Sequence, residues 1–153
     1  MQATMMGGLA VIVLAAMSAV SVGQPASTNA SGEEAGVRKA LGYYLEGHAT
    51  GQGSAFAKAF HPEAKLFFNR EGKFSQVTSA DYIARAPGKP ADDESRRKRR
   101  IDFVDVSGDA AVAKLTLEYP DVTFTDYMSL VKVDGDWRIV NKIFHAARHA
   151  RAE

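Results

Sequence analysis

Four polar side chains stand on a face of the predicted sheet that is otherwise apolar, and they are the residues best suited to chemistry. They are Arg99, Asp126, Asn141 and His145. A buried carboxylate is costly unless an opposite charge or a hydrogen bond compensates it. Asp126 is therefore the candidate catalytic residue, a general base in an apolar pocket, and the other three are candidate ligand contacts.

Asp126 allows two interpretations. In the structural one, its carboxylate is a buried tie that caps loop or helix amides. In the functional one, it lines a pocket, and Tyr44, Asn141 or His145 orients a small organic substrate. The residues do not decide between the two, so the sequence leaves open whether the protein is an enzyme.

The other predicted ligand contacts are apolar or aromatic. Tyr44 and Phe60 lie on the predicted pocket side of two helices, and Met128 lies on the pocket side of a strand. The complete predicted ligand-binding set is Tyr44, Phe60, Arg99, Asp126, Met128, Asn141 and His145. No histidine has the spacing of a zinc motif, and the chain has no P-loop or dinucleotide fingerprint, so we predict neither a metal nor a cofactor.

The predicted sheet follows from three turns in the second half of the chain. Ser107-Gly108-Asp109 and Asp134-Gly135 are hairpin signals, and Pro120-Asp121 is the third turn. Side chains alternate between faces along a strand, so pairing the strands through these turns fixes which residues share a face. The predicted pairs are Phe103–Ala113, Ile101–Leu115, Arg99–Leu117, Ala113–Met128, Leu115–Asp126, Leu130–Ile139, Met128–Asn141 and Asp126–Ile143.

Helices come before this meander. An apolar stripe predicts a helix from Glu33 to His48. Ser54 and Ser79 mark the starts of two shorter helices, and short strands are predicted at 65–69 and 73–77. Helices followed by a continuous meander indicate the α+β class.

Composition and the N-terminus limit the possible functions. The chain has 153 residues, a formal net charge of +1 and no cysteine, so we expect one domain without disulfides and no attraction for nucleic acid. Residues 1–23 have no charged side chain and contain an apolar run at 9–22, which is typical of a signal peptide. We expect residues 24–32 to form a flexible tether and residues 33–148 to form the folded domain. The protein would then be exported, periplasmic or secreted, and free of the membrane after signal cleavage.

The closing hairpin resembles that of a known family. The stretch from Asp126 to Phe144, with its Asp-Gly-Asp-Trp-Arg-Ile-Val-Asn-Lys sequence, is similar to the "Putative lumazine-binding" family of the nuclear transport factor 2-like (SnoaL-like) superfamily. The helix from Val37 to His48 and the run from His61 to Ala64 also match, and the resemblance spans residues 33–146. It implies a cone-shaped α+β fold, with N-terminal helices packed in a strongly curved antiparallel sheet. It also implies homodimers, which are frequent in the superfamily.

Three functions remain open on this fold, because it hosts many unrelated activities. The first is an exported homodimeric domain that binds a small apolar or aromatic organic molecule. The second is an acid–base enzyme, similar to an isomerase, dehydratase or hydrolase, that uses Asp126 as its base. The third is a protein-interaction module that uses the outer face of the sheet, around Tyr127 and Phe144.

Overall fold

The computed structural model describes residues 28–150, with side chains from residue 32 onward. The predicted signal peptide, residues 1–23, lies outside the described residues, as does the first part of the predicted tether. Helix α1 begins at Thr28, so the last residues of the predicted tether are helical. In the described part of the chain, no helix combines the length and the apolar character needed to cross a membrane.

Three α-helices and six strands form the described domain. The helices are α1 (Thr28–Thr50), α2 (Gly53–Ala59) and α3 (Ser79–Ala84). The strands are β1 (Phe60–Arg70), β2 (Lys73–Thr78), β3 (Lys98–Ser107), β4 (Ala110–Tyr119), β5 (Val122–Val133) and β6 (Asp136–Arg148). A single turn of 3-10 helix, Glu94–Arg96, precedes β3. These elements confirm the predicted α+β class, although β1 starts well before the predicted Lys65.

The six strands form one curved sheet in the order β2-β1-β6-β5-β4-β3. All neighbours are antiparallel except β1 and β6, which run parallel. The helices cover one face of the sheet, the inner face, and leave the opposite, outer face open. Along α1, Val37, Leu41 and Tyr44 recur at helical spacing and are each 0% exposed. They pack in one core with inner-face residues such as Leu115 and Ile139.

Strands β4 and β5 pair as predicted. Ala113 pairs with Met128, and Leu115 pairs with Asp126. The register is continuous from the turn at Pro120-Asp121 to the far end of both strands. Asp126 therefore lies on the inner face, where it is 0% exposed.

A bulge in β3 shifts part of the predicted register. It lies between Ile101 and Phe103, so Ile101 keeps its predicted pairing with Leu115, whereas the predicted Phe103–Ala113 pair is wrong. Val104 takes the position opposite Ala113, and Phe103 lies on the outer face, 53% exposed. Because side chains alternate, one inserted residue moves every later residue of the strand to the other face.

A second bulge, between β5 and β6 next to Leu130, alters the predicted site. The observed pairs beyond it are Met128–Lys142 and Asp126–Phe144, and the predicted Met128–Asn141 and Asp126–Ile143 pairs are wrong. Lys142 and Phe144 consequently face inward, so the predicted placement of Phe144 on the outer face is wrong. Asn141 and His145 face outward, by the same alternation.

Candidate functional site

Three polar side chains are buried together on the inner face, between α1 and the strands β5 and β6. Tyr44, Asp126 and Lys142 are each at most 4% exposed. Tyr44 Oη donates a hydrogen bond of 2.6 Å to Asp126 Oδ2, and Lys142 Nζ donates one of 2.5 Å to Tyr44 Oη. Lys142 Nζ also lies 3.0 Å from Asp126 Oδ1, in an ion pair that lacks hydrogen-bond geometry. We call these three residues the inner cluster.

Burial controls the protonation of the inner cluster. Desolvation lowers the pKa of Lys142, although the Asp126 carboxylate opposes this shift. The pKa of Tyr44 is raised well above its usual value, first by burial and then by the charges of Tyr82 and Asp126. Tyr44 is therefore a protonated donor at neutral pH. The Lys142 ammonium depends on one carboxylate in an apolar setting, so it loses its proton more readily than a surface lysine does.

His48 links the inner cluster to the edge of the domain. Its Nε2 lies 3.0 Å from Tyr82 Oη, and its Nδ1 lies 3.1 Å from Tyr119 Oη. Its ring meets the Tyr44 ring edge-on, with 4.7 Å between the centroids. Burial lowers the pKa of His48 well below its usual value, and the charge of Lys142 adds to this shift. Because the ring is neutral, one nitrogen donates a hydrogen bond and the other accepts one.

A cavity of about 350 Å³ opens beside the inner cluster. His48 and Tyr82 are among the residues of its wall. Most of the wall is apolar or aromatic and includes Phe56, Leu66, Phe68, Val77, Ala86 and Phe144. The described lining also contains Arg70, Arg85, Lys89 and Arg97, which we call the basic rim, and it contains no carboxylate. Nowhere in residues 28–150 do three His, Asp or Glu side chains lie close enough together to hold a metal ion.

Most of the basic rim carries charge that no neighbour neutralises. Arg97 pairs with Asp93 at 2.8 Å, and its guanidinium carbon lies 4.2 Å from the ring centroid of Tyr119. Within residues 28–150, the other three rim residues make no ion pair. These three exposed residues therefore have no counter-ion among the described residues.

The structure brings four of the predicted ligand-binding residues together in the interior. Tyr44 and Asp126 form the inner cluster with Lys142. Phe60 and Met128 pack in the core, each 2% exposed. The Phe60 ring meets the Tyr44 ring edge-on, with 5.8 Å between the centroids. Like Tyr44, Asp126 and Lys142, these two residues are not among those that line the cavity.

Arg99 connects the 3-10 turn, strand β4 and the end of helix α1 through hydrogen bonds. Its guanidinium donates hydrogen bonds of 2.6 and 2.8 Å to the two carboxylate oxygens of Glu94. It also donates to Tyr119 Oη at 3.3 Å and to the backbone carbonyl of His48 at 3.2 Å. These bonds fasten the 3-10 turn to the end of α1. Arg99 is part of this tie and is not among the cavity-lining residues.

The predicted placement of Asn141 and His145 on the inner face is wrong. Asn141 pairs with Ser129 and His145 pairs with Thr125, both on the outer face. The bulge beside Leu130 is the cause, because it shifts β6 by one residue. A role for either residue in a ligand site would have to be on that outer surface.

Sequence reasoning missed Lys142, His48 and the basic rim. The sequence did contain a signal for Lys142. A buried carboxylate such as Asp126 is stabilised by a nearby cation, and Lys142 directly follows the predicted partner Asn141. The rim gave no local signal, because its members come from the end of β1, from the loop after α3 and from the residue before β3.

The chain, with helices on one face of a curved six-stranded sheet, has the fold of solved NTF2-like proteins. A solved NTF2-like protein of unknown function from Silicibacter pomeroyi DSS-3 is 22% identical, with a TM-score of 0.68 over 77% of this chain and 98% of the other. Another from Methylobacillus flagellatus KT is 29% identical, with a TM-score of 0.64 over 78% and 94%. The chain belongs to the "Putative lumazine-binding" family, whose profile matches residues 32–145. The predicted resemblance is confirmed.

One relative of the chain has the name of an enzyme. "Aldolase FrzH" from Cladobotryum sp is 27% identical over 108 residues, which are 67% of this chain and 82% of that protein.

Proposed function

We propose that the protein binds a small organic anion, with an apolar or aromatic body, in the cavity beside the inner cluster. The observation that carries the proposal is the described lining, in which aromatic walls meet four basic side chains and no carboxylate. A volume of about 350 Å³ suits a molecule of one or two rings, at the lower end of ordinary ligand sites.

The two parts of the lining recognise different parts of such a ligand. The rings of Phe68 and Phe144, with centroids 4.9 Å apart, offer apolar surface against which a flat body can be buried. Arg85 at the rim offers a planar guanidinium that matches a carboxylate or phosphate, and Lys89 adds a point charge. The ligand therefore lies with its acid toward the rim and its body toward the inner cluster.

Calorimetric titration with matched ligands tests this proposal. We expect 2-naphthoate to bind and 2-naphthalenemethanol, which has the same body without the charge, to bind more weakly. Arg85→Gln and Lys89→Gln should each weaken naphthoate binding by about two- to fivefold, because exposed charges contribute modestly. Lys98→Gln, which removes an exposed charge of β3 outside the cavity, is the control and should change nothing.

The salt dependence provides a second reading of the same titration. Naphthoate affinity should fall as ionic strength rises, whereas the alcohol should be insensitive. Equal binding of acid and alcohol, or no binding of either, would contradict the proposal.

A second candidate function is acid–base catalysis by the inner cluster. It is favoured by a carboxylate, a phenol and an amine in mutual contact beside a cavity, and by the similarity to a relative named as an aldolase. The carboxylate of Asp126 would accept a proton from a bound substrate, and Tyr44 would donate to a developing oxyanion. Loss of turnover in Asp126→Asn with naphthoate binding retained is the expected result, once a substrate is found.

The outer face supports a homodimer. Phe74, Phe103, Val112, Tyr127 and Ile143 are 48–77% exposed there, one from each of five strands. Exposed apolar patches of this kind mark interfaces, and a second copy would present the same patch through a two-fold axis. We propose that a second copy of the chain covers this patch, and sedimentation velocity of the purified protein measures the oligomeric state.

Export is the part of the proposal that rests on the sequence alone. The apolar run at 9–22 and the small residues before Gln24 support cleavage after residue 23. N-terminal sequencing of the protein from the periplasmic or secreted fraction should begin near Gln24. Intact protein beginning at Met1 in the cytoplasm would contradict export.

A further inference from the structure

We propose that Lys142 is a nucleophilic amine that forms an imine with an aldehyde or ketone held in the cavity. The inference deepens the proposed binding function and rests on it, because the cavity must first hold the carbonyl compound. It names the substrate class as organic acids that also carry a carbonyl group. It assigns chemistry to a lysine that the sequence pattern did not single out.

The position of the amine supports this assignment. Lys142 Nζ lies 4.7 Å from the ring centroid of Phe144 and 5.9 Å from that of Tyr82, and both rings line the cavity. The side chain is only 5% exposed, so bulk water has little access to the amine. Lys142 itself is not among the lining residues, so imine formation requires its flexible four-carbon stem to rotate and bring the nitrogen past these rings to the cavity.

The neighbours of the amine suit proton transfer. An amine attacks a carbonyl only when it is neutral, and burial lowers the pKa of Lys142 toward that state. Asp126 Oδ1 lies 3.0 Å away but not in hydrogen-bond geometry, so the proton reaches the carboxylate through Tyr44 Oη, which donates to Asp126 Oδ2 at 2.6 Å. Tyr44 Oη, 2.5 Å from the nitrogen, supplies a second contact that keeps the amine in position.

The reaction balances with these groups alone. Lys142 passes one proton to Asp126, and its lone pair forms a C–N bond to the carbonyl carbon while the π pair moves to oxygen. A proton moves from nitrogen to that oxygen, Asp126 returns its proton, and the oxygen leaves as water, which gives an iminium ion. The positive charge therefore remains opposite the Asp126 carboxylate. That carboxylate can then accept a proton from the neighbouring carbon to give an enamine, with no oxidant or reductant.

A purely structural ion pair would show the same distances, so the test must detect the bond. We would incubate the full chain with 4-carboxybenzaldehyde, whose carboxylate suits the basic rim, and with sodium cyanoborohydride, which reduces an imine to a stable amine. Peptide mapping of the wild type should place the adduct on Lys142 at least about tenfold faster than on any other lysine, because the rate follows the neutral fraction. An excess of 2-naphthoate should block it.

Variants and binding data distinguish a failure of the imine proposal from a failure of the binding proposal. Lys142→Arg keeps the charge and should abolish the fast adduct, and Asp126→Asn should slow it. Modification of other lysines with Lys142 untouched, in protein that still binds 2-naphthoate, would overturn the imine proposal and leave the binding function standing. Absence of both the adduct and naphthoate binding would overturn both. Mapping the wild type needs no variant to fold.

Discussion

Removing the charge of Asp126 should leave the Lys142 ammonium buried without a counter-ion. The two side chains are 0% and 5% exposed, and their charged atoms lie 3.0 Å apart. At an effective dielectric constant of about 20, unit charges at this distance attract by about 5–6 kcal/mol, part of which offsets the desolvation of both groups. Breaking a buried pair from one side usually costs about 3–5 kcal/mol. We expect Asp126→Asn to lower the free energy of unfolding by that amount.

The loss of stability in Asp126→Asn should come from the unpaired charge of Lys142 and not from altered packing. In the double variant Asp126→Asn/Lys142→Met both charges are absent, while the amide oxygen can still accept from Tyr44. The double variant should therefore be more stable than Asp126→Asn alone by about 2 kcal/mol. Asp105→Asn, at an exposed carboxylate of β3, is the matched control and should unfold like the wild type.

Urea unfolding followed by the fluorescence of Trp137 measures these differences. Trp137 is the single tryptophan of the chain and is 5% exposed, so unfolding changes its surroundings. A loss smaller than about 1 kcal/mol in Asp126→Asn would match an exposed pair and refute the reasoning. A double variant less stable than the single one would refute it as well.

Three further predictions concern His48, the cavity and the outer face. The unfolded chain takes up a proton at His48 as the pH falls below about 6.5, whereas the folded chain, in which burial lowers that pKa, does not. The contribution of His48 to the free energy of unfolding is therefore complete above about pH 6.5. Below that pH it declines by up to about 1.4 kcal/mol per pH unit, until His48 in the folded protein also takes up a proton. In urea unfolding, His48→Gln should reduce this dependence on pH. Ala86→Phe places a ring in the cavity and should abolish naphthoate binding in calorimetry, whereas Ala35→Phe, on the exposed side of α1, should not. Ile143→Glu, at a residue that is 50% exposed on the outer face, should be a monomer in sedimentation velocity, whereas the wild type should be the proposed dimer. A variant that is still a dimer would contradict the proposed interface.

The register could be predicted where alternation runs unbroken between tight turns. From the Pro120-Asp121 turn, the β4–β5 pairing follows without a gap, and Asp126 is placed correctly on the inner face. The same reasoning failed at the bulges. At Phe103 and Val104, two adjacent residues are both apolar, so each could face the core and the pattern does not show which does.

The β6 bulge illustrates why the candidate site was only partly predictable. Ile143 and Phe144 are both apolar and Asn141 and Lys142 are both polar, so a shift of one residue leaves the pattern equally plausible. A tertiary contact favours the observed register, because that register places the Lys142 ammonium, and not the Asn141 amide, within reach of Asp126. The basic rim likewise depends on packing between distant segments, which no local pattern reports.

Native mass spectrometry of the protein purified from its own host tests the central claim most directly. The account predicts a bound acidic small molecule of one or two rings, held one per chain and absent from Ala86→Phe. The retained mass would also name the compound to examine for a carbonyl group and for adduct formation at Lys142. A neutral molecule retained instead, or an acid retained equally by Ala86→Phe, would contradict the claim that this cavity binds organic anions.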